Sequence, residues 1–361
     1  MNILHMVKLF DRKANGIRTV VPSYVYEQAK YENAFLQNIT GLKIECEEYQ
    51  LDFEMNGWPF NIKDKQGNSF MPDLVVFHGF YHIEMVKLSK ILFKNKIPYI
   101  VVPHVCLSKD AQNNKKLKKS IANLLIFNKY LKRANAVQML SQREYDTSNT
   151  RNNNKYLVTN GIYMPKLSKE DFSQEGLKFS FIGRLEMHMK GIDLLIKAIA
   201  LKKDFLKKQN CKFNLYGPHI PIYQKNIDMI NALIIENDVS DLVSMYDSVF
   251  GEEKEKTLLE TDIFIQTSRY EGMPMGVLEA MSYGVPCVVT RGTCLADFVL
   301  KHDAGWSSET TVEGVANAIE KAVAQKHLLK EKSKNAIVAV KENFDPETVA
   351  KDTLENYRKF I

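Results

Sequence analysis

Residues 263–290 read IFIQTSRYEGMPMGVLEAMSYGVPCVVT, and their pattern decides the fold. A short apolar run, 263–267, is followed by a loop with two glycines and a proline. A helix-forming segment, 277–283, comes next, and then a second apolar run, 286–290. Runs of that length bounded by Gly and Pro are expected to be buried strands, and strand–helix–strand order implies a parallel sheet covered on both faces. The loop 271–276 then lies at the carboxyl edge of the sheet, where open α/β sheets bind ligands. Gly272 and Gly276 let a ligand approach the main chain, and Pro274 stiffens the loop.

The same rhythm extends in both directions. Strands are expected at 3–7, 44–51, 74–77, 99–103, 136–140 and 156–159, and again at 178–182, 212–216 and 243–246. Helices are expected between them, among them 84–94, 115–131, 192–206, 222–237, 252–260 and 312–326. Two such sets imply an α/β protein of two doubly wound, Rossmann-like domains facing a central cleft. The Pro-, Gly- and Ser-containing stretch NGIYMPKLSKEDFSQEG, 160–176, marks the boundary. The expected division is 1–165 and 166–343, with a closing helix in 344–361 that starts at Asp345-Pro346. The 361 residues suit two domains better than one core. No apolar run reaches membrane-spanning length, and the N-terminus reads as a strand, not a signal peptide. Cys46, Cys106, Cys211, Cys287 and Cys294 form no C-x-x-C pair, so a cytoplasmic protein without disulfides or zinc is expected. The net charge of +6 is uneven: residues 1–165 carry 23 Lys and Arg against 14 Asp and Glu. The cluster NNKKLKK, 113–119, reads either as a solvated helix face or as a contact for an anionic membrane surface, which would place the protein on the inner face of the membrane.

The spacing of the glycines excludes both a dinucleotide fingerprint and a P-loop. No D-x-D occurs, so the usual acidic pair for gripping a metal-bound diphosphate is missing. Any diphosphate must then be neutralised by fixed cations and helix N-termini, with no metal required. The helix starting near Gly276 directs N–H groups and its positive end at the sheet edge. Glu279, expected in its first turn, does not suit a phosphate but accepts hydroxyl hydrogen bonds, as a ribose diol requires. Glu271 on the loop does the same for sugar hydroxyls. Read without a ligand, Glu279 complements the helix dipole and Glu271 is a solvated loop residue. A second strand–loop–helix, FIGRLEMHMKGID at 181–193, carries Arg184 and Lys190 before a helix beginning near Gly191. Two cations on one such loop suit a diphosphate leaving group, although in isolation they read as surface residues. His104 ends a buried strand and His78 ends the preceding one, while His188 reads as surface.

FIGRLEMHMKGID together with SRYEGMPMGVLEAMSYGVPCVVT, 268–290, resembles the family 4 glycosyltransferases, retaining enzymes of the GT-B fold. Glu271 and Glu279 meet the family's E-x7-E spacing. The resemblance is looser in PYIVVPH at 98–104, VTNGI at 158–162 and NGIRTVV at 15–21. It implies transfer of a hexosyl unit from a nucleotide diphosphate sugar to a hydroxyl acceptor, by family habit a lipid-linked glycan in cell-surface polysaccharide synthesis. It implies that Arg184 and Lys190 bind the donor diphosphate and that Glu279 holds the ribose. Glu271 and the backbone of Gly272, Met273, Pro274, Met275 and Gly276 would hold the donor sugar, Gly16 would lie against the phosphate, and His104 would contact the transferred sugar. The closing helix would cross back onto the N-terminal domain. Two features depart from the family: a single Gly16 after Asn15 where paired glycines are usual, and Val105 after His104 where Gly is frequent. A nucleotide-sugar epimerase of the same fold and a non-catalytic sugar-nucleotide-binding subunit are the competing readings. The E-x7-E pair and the complete set of Arg184, Lys190, Glu271 and Glu279 argue against both. No nucleic-acid partner is expected.

Overall fold

The structure is a computed structural model that describes residues 1–10, 16–55, 58–64 and 66–361. The chain forms two units, Met1–Gly161 with Phe344–Ile361, and Ile162–Asn343.

The first unit holds a sheet of seven strands: β1 (Asn2–Val7), β2 (Asn33–Asn38), β3 (Gln50–Leu51), β4 (Leu74–His78), β5 (Tyr99–Val102), β6 (Ala136–Met139) and β7 (Lys155–Leu157). The order is β3-β2-β1-β4-β5-β6-β7, and every ladder is parallel. Leu4 of β1 pairs with Phe35 of β2 on one side and Val75 of β4 on the other. Residues such as Leu4, Val75, Ile100 and Val137 are fully buried, as strands covered on both faces demand. The expected strand at 44–51 is mostly a loop and a short 3-10 turn, Glu47–Tyr49, leaving only β3. Its place beside β1 is taken by β2, whose sequence NAFLQN lacks the β-branched residues that signal a strand. The helix Pro346–Lys359 belongs to this unit. Asp345 caps it by accepting from the Thr348 N–H at 2.8 Å, and Tyr357 is fully buried 6.4 Å from the His5 ring.

The second unit holds β8 (Lys178–Ile182), β9 (Lys212–Tyr216), β10 (Val243–Tyr246), β11 (Ile263–Gln266), β12 (Cys287–Thr290) and β13 (Gly305–Ser308). Their order is β10-β9-β8-β11-β12-β13, again all parallel. β13 carries the weak strand sequence GWSS, and its Gly305 is needed because a Cβ there would lie 2.0 Å from the Cys287 carbonyl oxygen.

In each unit the chain builds outward on one side of the first strand and then reverses, so β1 and β4, and likewise β8 and β11, flank a switch point. Crevices at the carboxyl ends of such strands are where doubly wound sheets take ligands.

Candidate functional site

The loop after β8 and the loop after β11 leave the second unit's switch point side by side. Gly191 caps the helix Ile192–Leu201 at φ +66°, and a Cβ there would lie 2.0 Å from the Thr267 carbonyl oxygen. Only glycine permits both the angle and the approach. Thr267 Oγ1 donates to the Gly191 carbonyl at 2.9 Å, and the Arg269 N–H donates to the Met189 carbonyl at 2.9 Å. Arg269 also grips Asp193 with two bonds of 2.7 Å. Burial would raise the Asp193 carboxyl, but the guanidinium outweighs it and holds it below its ordinary value.

This clamp brings Lys190 to Glu271. Lys190 Nζ donates to Glu271 Oε1 at 2.5 Å, with both side chains largely covered at 13% and 11% exposure. The same oxygen accepts from Ser268 Oγ at 2.8 Å and from Gln266 Nε2 at 3.1 Å. One Glu271 oxygen is thus held by three donors, from the end of β11 and from the two loops. The helix Met275–Ser282 begins just beyond it, with Pro274 at its N-cap and no side chain capping it. A Cβ on Gly276 would lie 3.3 Å from the Ile182 carbonyl oxygen, so the helix start sits close over the end of β8.

Glu279 is the fifth residue of that helix and lies in its second turn, not the first as the sequence suggested, because Met275 and Gly276 are already helical. Its carboxylate accepts from Lys254 Nζ at 2.5 Å, a residue of the helix Gly251–Glu260. Arg184 is more exposed and pairs with Glu186 at 2.7 Å, and His188 is exposed. Gly272, Met273 and Pro274 join the Glu271 loop to the helix start. Sequence reasoning missed Gln266, Ser268 and Lys254. The first two look like ordinary strand-end polar residues, and Lys254 in GEEKEKTLLE looks like a solvated helix face.

His104, His78 and Gly16 belong to the first unit. Gly16 is the first residue of the helix Gly16–Gln28, and a Cβ there would meet nothing within 4 Å. Asn15, which precedes it, lies outside the described residues. His104 Nε2 is 3.2 Å from His78 Nδ1, His78 Nε2 is 2.9 Å from His5 Nδ1, and His5 Nε2 is 2.9 Å from Gln28 Oε1. With the Gln28 oxygen accepting, all three neutral rings donate through Nε2, and His5 and His78 accept through Nδ1, so the chain of donors runs from His104 inward. Burial lowers His5 and His104 to about 4. It lowers His78 well below its ordinary value, helped by its two neighbours. All three are neutral at pH 7.

His104 and Val105 both have left-handed backbones, φ +47° and +69°. For a β-branched residue that angle is strained by about 1–3 kcal/mol. Glu144 holds the turn: its Oε1 accepts from the Val105 N–H at 2.7 Å and its Oε2 from the Leu140 N–H at 2.9 Å. Among the described residues, no cluster of three or more His, Cys, Asp or Glu side chains is arranged to hold a metal ion. No helix among them is long and apolar enough to cross a membrane.

Residues 166–339 match the family described as Glycosyl transferases group 1. An uncharacterized glycosyltransferase of Methanocaldococcus jannaschii is 26% identical over 180 residues, which are 49% of this chain and 44% of that protein. This alignment therefore spans less than half of the relative's own length. Sucrose-phosphate synthase from Thermosynechococcus elongatus superposes with a TM-score of 0.78 at 15% identity, over 99% of both chains. Anabaena HepE, solved in complex with UDP and glucose, superposes with a TM-score of 0.73 at 15% identity, over 99% of this chain and 100% of that one. At these identities the two likenesses show the fold, which is GT-B.

Proposed function

Because the chain belongs, through residues 166–339, to the group 1 glycosyl transferases, we propose that it transfers a hexosyl unit from a nucleotide diphosphate sugar to a hydroxyl with retention at the anomeric carbon. The observation that carries this reading is the Lys190–Glu271 pair at the carboxyl ends of β8 and β11, beside an uncapped helix start. A uridine diphosphate sugar is the proposed donor, by analogy with the UDP bound to Anabaena HepE.

Arg184, Lys190 and the first turn of Met275–Ser282 take the diphosphate. Glu279 takes the ribose diol, and Glu271 with the backbone of 272–276 takes the sugar hydroxyls. Gln266 and Ser268 fix the Glu271 carboxylate so that it meets the sugar without reorganising. The acceptor oxygen attacks the anomeric carbon on the face from which the phosphate departs. The bond from that carbon to the phosphate oxygen breaks, and the acceptor proton passes to the departing phosphate. Charge develops on that phosphate, and the two cations and the helix N-terminus stabilise it without a metal. A lipid-linked glycan is the proposed acceptor, met by the basic first unit at the inner face of the membrane.

The test is release of UDP from UDP-sugars with and without a hydroxyl acceptor. Acceptor-dependent release with an α-linked product from an α-linked donor is expected. Turnover that needs no acceptor and yields an epimerised donor would overturn the proposal.

A further inference from the structure

Three buried polar side chains of the first unit, Gln28, His5 and His78, lead outward to His104. His5 lies inside β1 and is wholly buried, His78 ends β4 at 1% exposure, and Gln28 ends the helix Gly16–Gln28 and is wholly buried. Ring centroids are 5.2 Å apart for His5 and His78 and 5.5 Å apart for His78 and His104. Apolar side chains would fill this part of the core at less cost, since a buried imidazole gives up its hydration. A buried chain in which each ring is hydrogen-bonded to the next instead fixes orientation.

His104 is the outer end of the chain. It follows β5 at the carboxyl edge of the sheet and, unlike His5 and His78, is half-buried. Among the described residues its ring makes one hydrogen bond, through Nε2 to His78, which leaves Nδ1 unpaired. Its main chain is preset as well, since Glu144 holds the left-handed turn through the Val105 N–H. A neutral imidazole carries one N–H and one bare nitrogen, and the partner of one nitrogen decides the state of the other. With Gln28 Oε1 at the inner end, the three N–H groups point inward and the nitrogen that His104 turns away from the chain is bare. Moving the His104 proton to Nδ1 would set two bare nitrogens against each other at 3.2 Å, unless His78, His5 and the Gln28 amide all turned with it. Burial keeps the ring neutral at pH 7. A neutral ring with a bare nitrogen has no proton to give a phosphate or carboxylate oxygen, and it suits a hydroxyl that donates. We propose that Gln28, His5 and His78 are positioning residues that hold His104 in the tautomer protonated on Nε2, so that its Nδ1 accepts from a sugar hydroxyl. That the hydroxyl belongs to a sugar rests on the transferase reading given above.

The experiment labels the rings of the eight histidines with ¹⁵N and records long-range ¹H–¹⁵N correlation spectra of the full chain at pH 7. A His104→Asn variant assigns the signal. His104 is expected as one tautomer, with Nε2 protonated and Nδ1 bare. A parent spectrum with Nδ1 protonated, or with both tautomers present, overturns the proposal before any other variant is made. Gln28→Met removes the inner acceptor at similar volume and is expected to let the His104 proton distribute over both nitrogens. His5→Phe severs the chain one ring farther out and is expected to do the same. A merely structural chain would lower the melting temperature of these variants without moving the His104 signals, and that result also overturns the proposal. In turnover, Gln28→Met is expected to raise the KM for one substrate by about tenfold, the worth of one hydrogen bond, with a smaller change in kcat. The substrate whose KM rises is the one that brings the hydroxyl, and parental KM values for both would refute the hydroxyl contact. The spectra need no turnover, so a failed transferase assay and a failed tautomer assignment are separate results.

Discussion

At the scale of single residues, the candidate donor site is a set of charges already paired with one another. Lys190 is neutralised by Glu271 and Lys254 by Glu279. An incoming diphosphate must share Lys190 with a carboxylate, which favours a ligand carrying both negative charge and hydroxyls. Arg184→Ala and Lys190→Ala are each expected to cost about 2–4 kcal/mol in kcat/KM. Glu279→Gln should mainly raise the KM for the donor, since it removes a ribose acceptor and frees Lys254. Steady-state kinetics against donor concentration checks all three, and parental values throughout would dismiss the assignment. The same cations lead to a second expectation, that EDTA leaves turnover intact. Loss of turnover in EDTA, restored by Mn²⁺ or Mg²⁺, would contradict it. The residue types and the eight-residue separation of Glu271 from Glu279 are legible along the chain. Their partners are not, because Lys190 and Glu271 stand 81 positions apart and meet only through the Thr267–Gly191 clamp.

Among the elements, two segments invite tests. The clamp depends on Gly191, where an added methyl would strike the Thr267 carbonyl at 2.0 Å in a left-handed backbone. Gly191→Ala is expected to destabilise the second unit by about 1–3 kcal/mol. A denaturant midpoint unchanged from the parent would show that the loop adapts. The other segment is Lys116–Ala122 with the π-helical turn Asn123–Phe127. Beside Lys115, Lys116, Lys118 and Lys119 it exposes Leu117 at 77%, Leu124 at 70% and Leu125 at 72%. Lysines interleaved with bare leucines suit an anionic lipid surface, with the charges at the headgroups and the leucines below. Cosedimentation with anionic vesicles should fall as salt rises and fall further when the four lysines become glutamine, with donor binding unaltered. Equal recovery on neutral and anionic vesicles at low salt would leave the cluster as a solvated face. The lysines were plain in the sequence. The wider turn that continues their helix was not, since periodicity at 3.6 residues carries no mark of an i→i+5 bond.

For the molecule as a whole, the buried histidines tie stability to pH. His5 and His104 are lowered from 6.5 to about 4, so between those values the unfolded chain binds more protons than the folded one. Their contribution is complete above pH 6.5 and is lost as pH falls toward 4, at up to about 1.4 kcal/mol per pH unit for each. His78 acts in the same direction. The buried Glu144 carboxyl, raised by burial, acts in the opposite one. The first unit is therefore expected to melt at lower temperature at pH 5 than at pH 7, and a flat melting profile across that window would refute the neutral histidine chain. Sequence alone determined the α/β class and the parallel sheets, because short apolar runs alternating with amphipathic segments leave few other ways to bury both faces of a sheet; the GT-B resemblance rested on the motifs at 181–193 and 268–290. It also determined which loops carry charge at strand ends. It did not determine β2, whose NAFLQN is made a strand by pairing with β1. Nor did it determine the contact of Lys254 with Glu279 or the chain from His104 through His78 to His5. Those depend on side chains separated along the chain, and only its packing brings them together.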